Sequence, residues 1–488
     1  MTRAPLSPPA APVAPVRGVR AVAVLTAVAL SGFIAMLDNT VVHVALPSMQ
    51  RELSLSAEEL EWVAVSYVLV FSTLMLLGGR LSDLVGRRAV LVAGLCVFTA
   101  ASVCAGLAES GASLIAARGV QGAGAACVIP ASLAVVAGDL PERSRTFAVG
   151  VWTAALAVAL ASGPVLGGAV TEHGGWEWVF LLNLPFGVVA ALLALAVPRR
   201  CVGVRRSPSA LLRVLDMPGV LLSGVALFLL TYALVEGGER GFGRSPVPEC
   251  LLGAGVAGAA FLFAQSRAFT PLVDPRAFRS RSLTGGAAAQ VLWGVGVNGV
   301  FFFTSLYLQR ILGFSPTDAG LVFLPLALTL LAVTPAAEPL ARVFGAHRVI
   351  AAGLAMVGGG LLCVAGQGAS AGYADLQPGL LLIGAGSAFT APMTVAALAD
   401  VPAARAGTAS GLVSTAREVS GVFGVVLVGV VLTRHEHSAL RAGLAPDAAF
   451  LDGYHAGLRV GAGAVLCGAC VVVVTLRRRG RHRGRVHR

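Results

Sequence analysis

Fourteen apolar segments run along the sequence, and each is long enough to form a membrane-spanning helix. They are centred near residues 32, 70, 98, 125, 157, 188, 227, 257, 296, 327, 357, 387, 419 and 465. A helix needs about 20 apolar residues to cross the hydrocarbon core of a bilayer. Hydrophobic residues make up 56% of the chain and charged residues only 12%, whereas a soluble domain carries about 25% charged residues. The sequence therefore predicts an all-α membrane protein with fourteen transmembrane spans.

The arginines predict how these spans are oriented. All 36 basic residues are arginine, and most of them lie in segments that would share one side of the membrane with both termini. Because positively charged loops stay in the cytoplasm, we expect both termini there. The arginine-only basic set, with abundant Ala, Gly and Val, indicates a GC-rich bacterial genome, so we expect the protein in a bacterial inner membrane. This distribution assigns the positive charge to topology, so we expect no nucleic-acid partner.

An internal repeat indicates two related halves. The sequence GGRLSDLVGRRAVL at 78–91 follows the second span, and AAEPLARVFGAHRVI at 336–350 follows the tenth, so that Gly86 aligns with Gly345. Internal repeats of this kind are typical of secondary transporters. The predicted organisation is a disordered tail (1–19), a six-helix half (20–198), a linker with two extra helices (199–282), a second six-helix half (283–476) and a basic cytoplasmic tail (477–488).

The sequence argues against an enzyme, a metal site and a cofactor. The eight cysteines are scattered, and the CxxC formed by Cys467 and Cys470 lies in an apolar helix, where two packed thiols are expected. No GxxxxGK[ST] loop occurs in this lysine-free chain, which excludes ATP-driven transport by the chain alone. One GxSxG string surrounds Ser370, but it falls in a short loop rather than in the strand–turn–helix that a nucleophile elbow needs.

Among the charged residues within the apolar segments, two stand isolated from any other charge. Asp38 lies inside the first span and Arg118 inside the fourth. By insertion scales, a carboxylate or guanidinium at the bilayer centre costs roughly 2.5–3.5 kcal/mol. Such residues face the interior of a helix bundle and mark functional sites. We therefore expect Arg118 to find a carboxylate or a carbonyl inside the bundle.

Five motifs occur in order along the chain: LDNTVVHVALP in span one, GGRLSDLVGRR after span two, ARGVQGAGAA in span four, SGPVLGG in span five and WEWVFLLNLPFG entering span six. With these motifs the chain resembles the fourteen-helix drug:proton antiporter family of the major facilitator superfamily. The resemblance implies the major facilitator fold, with two six-helix halves plus two inserted central helices. It also implies proton-coupled export of lipophilic drugs or antibiotics, cationic ones among them, by alternating access. The alternative is dedicated export of one self-made metabolite, an antibiotic or a siderophore, on the same fold.

The resemblance implies a proton-coupling role for Asp38 and Arg118. Two interpretations of Asp38 stay open: a structural carboxylate that hydrogen-bonds helix ends or pairs permanently with Arg118, or a titrating carboxylate that takes a proton outside and releases it inside. His43, where the family more often has Asn, is a further titratable candidate or an interfacial residue near a helix end. Glu236 and Glu418 are the remaining titratable candidates, and Arg417 with Glu418 is expected to be held against the bundle.

Two motifs supply conformational elements by resemblance. GGRLSDLVGRR implies a latch between inward and outward states, formed by Gly79, Arg80, Asp83, Gly86, Arg87 and Arg88. Its glycines are expected to make a tight turn, and its aspartate to cap span three or to pair four residues on. SGPVLGG implies an exporter motif formed by Gly163, Pro164, Gly167 and Gly168. Its proline is expected to bend span five, and its glycines to form a face for a partner helix.

The remaining polar and aromatic residues within the spans predict an apolar, weakly polar substrate cavity. Its candidate residues are Asn39, Gln121, Trp152, Gln290, Trp293, Asn298 and Phe301. The segment that contains Trp176, Trp178 and Asn183 is expected to anchor span six, with little direct chemistry. The chain departs from the family pattern at Leu84, where a basic residue is usual, and at Glu177, where Arg is common. The expected partners are a small lipophilic substrate, protons and the lipid bilayer, and the protein is expected to be a monomer.

Overall fold

The computed structural model describes residues 19–140, 142–198, 215–268, 271–273, 278–401 and 406–477. The predicted N-terminal tail, the arginine-rich connector after span six and the basic C-terminal tail fall outside these ranges, apart from their edges.

The described chain is folded into helices that alternate in direction across a bundle. Their bounds are α1 Val19–Glu52, α2 Ala57–Val85, α3 Arg87–Gly106, α4 Gly111–Asp139, α5 Glu142–Gly174, α6 Glu177–Leu181, α7 Asn183–Ala194, α8 Met217–Arg240, α9 Val247–Arg267, α10 Arg281–Arg310, α11 Pro316–Phe344, α12 Ala346–Val364, α13 Tyr373–Phe389, α14 Met393–Leu398, α15 Ala406–Arg441 and α16 Pro446–Thr475. The described residues contain 14 segments long and apolar enough to span a membrane, with α6–α7 and α13–α14 each forming one span. The predicted number of spans is confirmed.

Short polar caps and two sharp glycine turns set the helix boundaries. Ser56 and Ser110 begin α2 and α4, and each accepts a hydrogen bond from a backbone N–H three residues on, which satisfies a donor that the helix leaves free. Gly86 and Gly345 join α2 to α3 and α11 to α12 with φ of 110° and 91°. Glycine adopts this conformation without the steric cost of a Cβ. The two glycines were aligned in the sequence repeat, and they make equivalent turns.

The bundle has two ends, which we call the near end, where α1 begins, and the far end, where α1 ends and α2 begins. One hydrophobic cluster joins both six-helix groups at the far end, where it contains Val41 and Leu60 together with Phe302 and Phe323, and it continues through the C-terminal group. At the near end a second cluster, which includes Val24, has only N-terminal-group residues among its described members. The two groups are therefore packed together at the far end.

The inserted helices α8 and α9 pack against each other and flank the junction between the two groups. Helix α8 contacts α2 of the N-terminal group and α15 of the C-terminal group. A Cβ at Gly238 of α8 would lie 3.3 Å from the Cα of Val430 on α15, so the two backbones are close. On another side of the junction, α5 packs against α11.

Candidate functional site

Asp38 and Arg118 form a buried ion pair within the N-terminal group. Asp38 is 0% exposed and Arg118 is 1% exposed. Nη1 of Arg118 donates a hydrogen bond to Oδ2 of Asp38. Each residue therefore compensates the charge that the other brings into an apolar bundle, which is how buried charges are tolerated.

Three neutral side chains complete a hydrogen-bond network around this pair. Gln121 lies one turn after Arg118 on α4; its Oε1 accepts from Nη1 of Arg118 at 2.7 Å and its Nε2 donates to Oδ1 of Asp38 at 2.6 Å. Asn183 at the start of α7 donates from Nδ2 to the same oxygen at 2.8 Å. Ser102 of α3 accepts from Gln121 at 2.7 Å. Asp38 thus accepts hydrogen bonds from three side chains on two other helices.

The network corrects two expectations from the sequence. Gln121 was predicted to line the substrate cavity, but it is fully buried between Asp38 and Ser102. Asn183 was predicted to serve only in anchoring, but its amide binds the Asp38 carboxylate. Asn183 could have been identified in the sequence, because it is a polar residue inside an apolar segment of a recognised motif. Nothing in the sequence distinguished Ser102 from the other small residues of α3.

The guanidinium of Arg118 is held from α2 as well. Its Nε donates to the carbonyl oxygen of Val63 at 3.3 Å, and its Cζ lies 4.5 Å from the centre of the Tyr67 ring. A cation over an aromatic face gains favourable electrostatic energy. A Cβ at Gly122 would overlap the carbonyl oxygen of Tyr67. The glycine after Gln121 therefore lets α4 come close enough to α2 for these contacts.

The exporter motif forms two close helix contacts. Gly163 and Gly167 of α5 face Thr40 and Val41 of α1, and a Cβ at either glycine would press on them. This contact lies two to three residues beyond Asp38, so α5 supports the helix that carries the carboxylate. The predicted packing face of the motif is present in the structure.

The second contact of the motif joins the two six-helix groups. A Cβ at Gly168 would overlap the carbonyl oxygen of Pro316 at the start of α11. A Cβ at Gly320 of α11 would in turn overlap the carbonyl oxygen of Pro164. These reciprocal backbone contacts lie towards the far end. The N–H of Thr317 also donates to Glu172 of α5 at 3.1 Å, and the far end is closed on this side.

The structure changes the predicted roles within GGRLSDLVGRR. Gly79 was expected in a tight turn, but it lies inside α2, and a Cβ there would meet Pro130 at an ordinary 3.7 Å. The close-packed glycine is its neighbour Gly78, where a Cβ would overlap a backbone oxygen of α4. Only Gly86 makes the turn. Asp83 is exposed within α2 and does not cap α3, whose N-cap Gly86 has no side-chain capping bond.

Two arginines of the motif bind backbone carbonyls instead. Arg80 donates from Nη2 to the carbonyl oxygen of Pro271, in the segment after α9, at 2.6 Å. Arg88 donates from Nη1 to the carbonyl oxygen of Val197 after α7 at 3.5 Å. The motif therefore ties the near end of α2 and α3 to the segments that follow the sixth and eighth spans.

The predicted cavity residues are divided between the two helix groups. Trp152 of α5 donates from Nε1 to Ser132 of α4 at 3.2 Å, and Trp293 of α10 donates to Ser387 of α13 at 3.4 Å. The other predicted cavity residues on α10 contact residues of the C-terminal group. Asn298 donates a hydrogen bond to the carbonyl oxygen of Gly294, and the Phe301 ring centroid lies 5.1 Å from that of Phe323. Gln290 is buried. Asn39 on α1 is half-buried.

His43 and Arg417 lie where the sequence did not place them. His43 is inside α1, not near its end, and its ring packs edge-to-face on Phe302 of α10 with centroids 6.3 Å apart. Arg417 was expected against the bundle, but it is 59% exposed and pairs at 3.2 Å with its neighbour Glu418. This exposed pair carries little of the stability that a buried pair would. Glu236 is 1% exposed.

Comparisons with known proteins agree with this architecture. Residues 28–425 match the family model described as Major Facilitator Superfamily. The chain is 38% identical over 401 residues to the cephamycin export protein CmcT of Amycolatopsis lactamdurans, covering 81% of this chain and 82% of the relative. It is 35% identical over 410 residues to the multidrug resistance protein Stp of Mycobacterium tuberculosis, covering 84% and 75%.

The fold is also similar to that of solved transporters. A bacterial homologue of the human lysosomal transporter Spinster, in an inward-facing and unoccupied conformation, gives a TM-score of 0.69 with 16% identity, and covers 95% of this chain and 98% of that chain. A peptide transporter of the POT family in complex with sulfate gives a TM-score of 0.69 with 14% identity, covering 94% and 96%. At these identities the likeness shows the fold alone.

Proposed function

Because the chain belongs to the Major Facilitator Superfamily, we propose that it exports antibiotics or other lipophilic small molecules, cationic ones among them, in exchange for protons. The relatives support export, since one is named an export protein and another a multidrug resistance protein. The superfamily consists of transporters, and we propose no enzyme activity for this chain. It acts as a monomer in the inner membrane of a bacterium.

The observation that carries the proton coupling is the buried pair of Asp38 and Arg118. The carboxylate accepts hydrogen bonds from Arg118, Gln121 and Asn183. A proton that binds Asp38 neutralises it and ends its ion pair with Arg118. The guanidinium is then left with Gln121 and the carbonyl of Val63, so protonation changes the contacts between α1, α4 and α7.

The orientation inferred from the arginines gives this exchange a direction. We place the near end in the cytoplasm and the far end outside, so that the closed far end corresponds to an inward-facing carrier. Each proton that moves inward supplies roughly 2.3 kcal/mol per 100 mV of membrane potential, in addition to any pH gradient. The two six-helix groups rock against each other, which makes and breaks the glycine contacts of α5 with α11, and the substrate is bound between the groups.

Dedicated export of a single metabolite is the second candidate. The similarity to a cephamycin export protein favours it, because that relative is named for one class of antibiotic. A dedicated exporter would release protons with only one compound of a panel, whereas a multidrug exporter would release protons with several unrelated compounds.

Proton release from the purified protein tests the proposal. Lipophilic cations and natural antibiotics are added one at a time to weakly buffered detergent solutions of wild type, Asp38→Asn and Asp452→Asn, the last being an exposed control on α16. We expect substrate-induced proton release in wild type and in the control, and none in Asp38→Asn. Release that persists in Asp38→Asn would overturn the assignment of Asp38.

A further inference from the structure

Three helices meet at the far end, on the side of the junction where the inserted pair lies. Glu61 of α2 sits against α15, where its carboxylate fills the space that a Cβ of Gly429 would occupy. Helix α8 packs against the same part of α15, where Gly238 lies next to Val430. Helices from the N-terminal group, the C-terminal group and the inserted pair therefore enclose one small volume.

Carboxyl groups converge on this volume. Glu61 is 8% exposed, and its carboxylate has no hydrogen bond or ion pair with any residue in the described part of the chain. Glu58, one turn earlier on α2, interacts electrostatically with Glu236 on α8, which is 1% exposed. Glu239 is the next acidic residue on α8 and interacts electrostatically with both Glu58 and Glu61.

Described cations lie near Glu236 and Glu239, but none of them pairs with Glu61. Nε of Arg240 lies 2.7 Å from Oε1 of Glu236, but the guanidinium is 62% exposed, and that oxygen has no hydrogen-bond partner among the described residues. On α15, His437 faces Glu239 at 3.8 Å. Glu436, also on α15, is 3.7 Å from Arg310 of α10.

This arrangement favours a bound proton. Carboxylates on neighbouring helices repel each other when all of them are charged, and a proton on one of them reduces this repulsion. A carboxylate buried without a partner carries a high desolvation cost, which a proton also removes. The Glu61 side chain itself occupies the space over Gly429. A proton fits beside its carboxylate, whereas a larger ligand would need more room.

We propose that Glu58, Glu61 and Glu236 form an exchangeable proton-binding site, separate from Asp38, whose proton holds the far end closed. When the proton leaves, the negative charges of α2 and α8 repel, and a charged Glu61 remains buried between α2 and α15. Separation of α2 from α15 hydrates that carboxylate and relieves the cost. The inference rests on the proposed function for one point, that the far end faces the outside from which the proton comes.

Spin labels across the far end test this coupling. Cysteines are introduced at Glu109, in the exposed turn before α4, and at Leu444, in the exposed turn before α16, in a background without the eight native cysteines. Pulsed electron paramagnetic resonance gives the distance between the labels as the pH is raised, without substrate. The infrared band of protonated carboxylic acids is recorded in parallel. Glu61→Gln and Glu236→Gln are compared with Glu52→Gln, an exposed far-end control.

The expected result is a longer distance at high pH in wild type and in Glu52→Gln. Glu61→Gln should lose this lengthening, because a neutral side chain remains in the α2–α15 interface, and both cluster variants should lose protonated-carboxyl absorbance. An unchanged pH response and an unchanged band in both cluster variants would overturn the proposal, as would a wild type whose distance does not change with pH.

The result is separable from that for Asp38. If Glu61→Gln behaves as wild type while Asp38→Asn abolishes substrate-induced proton release, only the far-end site is wrong. If Glu61→Gln loses the pH response while Asp38→Asn keeps its proton release, the far-end site stands and the assignment of Asp38 is wrong.

Discussion

At the scale of single residues, Asp38 and Arg118 could each be identified in the sequence, whereas their pairing could not. Each is an isolated charge in an apolar segment, and that signal was sufficient to find both. Their partners were harder to find, because Gln121, Asn183 and Ser102 are polar residues of ordinary type. Whether such side chains converge depends on how α3, α4 and α7 are rotated against α1, which a single sequence does not specify.

A stability cycle on the ion pair tests whether the two charges depend on each other. Arg118→Met leaves the Asp38 carboxylate buried without its cation, and removing one partner of a buried pair costs about 3–5 kcal/mol. We expect this variant to unfold at a clearly lower temperature in detergent. The double variant Asp38→Asn with Arg118→Met should recover part of the loss, because no unpaired charge remains. Additive losses in the cycle would contradict a mutually dependent pair.

At the scale of helices and turns, the glycines show what a motif does and does not reveal. Gly86 could be predicted to turn the chain, and the glycines of the exporter motif to pack against a partner. Gly78 and Gly320 were not identified, because the requirement for a glycine comes from a backbone oxygen of another helix. That oxygen belongs to a residue distant in the sequence, so only the packed structure locates it.

The adjacent glycines of α2 give a matched comparison. Gly78→Ala places a Cβ on the carbonyl oxygen of Ala126, which the backbone can relieve only by moving α2 away from α4. Gly79→Ala meets Pro130 at 3.7 Å, an ordinary van der Waals distance. We expect a lower unfolding temperature and less folded protein for Gly78→Ala, by an amount typical of overpacking, about 1–3 kcal/mol. Gly79→Ala should remain close to wild type, and equal losses in the two variants would contradict the packing described.

A second comparison on α5 addresses closure of the far end. Gly168→Ala would overlap the carbonyl oxygen of Pro316 in the other helix group, whereas a Cβ at Gly150 meets nothing within 4 Å. Because this contact joins the two helix groups at the closed far end, opening that end would relieve the overlap, so we expect Gly168→Ala to favour the open arrangement and slow transport. The distance between labels at 109 and 444 should increase in this variant. Gly150→Ala is the control, and an unchanged distance in Gly168→Ala would refute the expectation.

At the scale of the whole molecule, the span number and the internal repeat could be predicted from the sequence. Long apolar segments are a strong signal, and the paired turns at Gly86 and Gly345 have the same left-handed glycine conformation. The sequence did not indicate which end of the bundle is closed. Apolar residues suit a helix interface and a lipid contact equally, so the same pattern is compatible with either arrangement. The acidic residues at the α2–α8–α15 junction are far apart in the sequence, and only the packing of these helices brings them together.

Asp38 is the residue on which the proposed coupling of protons to export depends most. Proteoliposomes with an imposed pH gradient, containing wild type or Asp38→Asn, measure this directly with a substrate found by proton release. We predict gradient-driven accumulation in wild type and none in Asp38→Asn, whereas exchange of labelled for unlabelled substrate without a gradient should continue in the variant. Accumulation by Asp38→Asn at the wild-type rate would contradict the central claim.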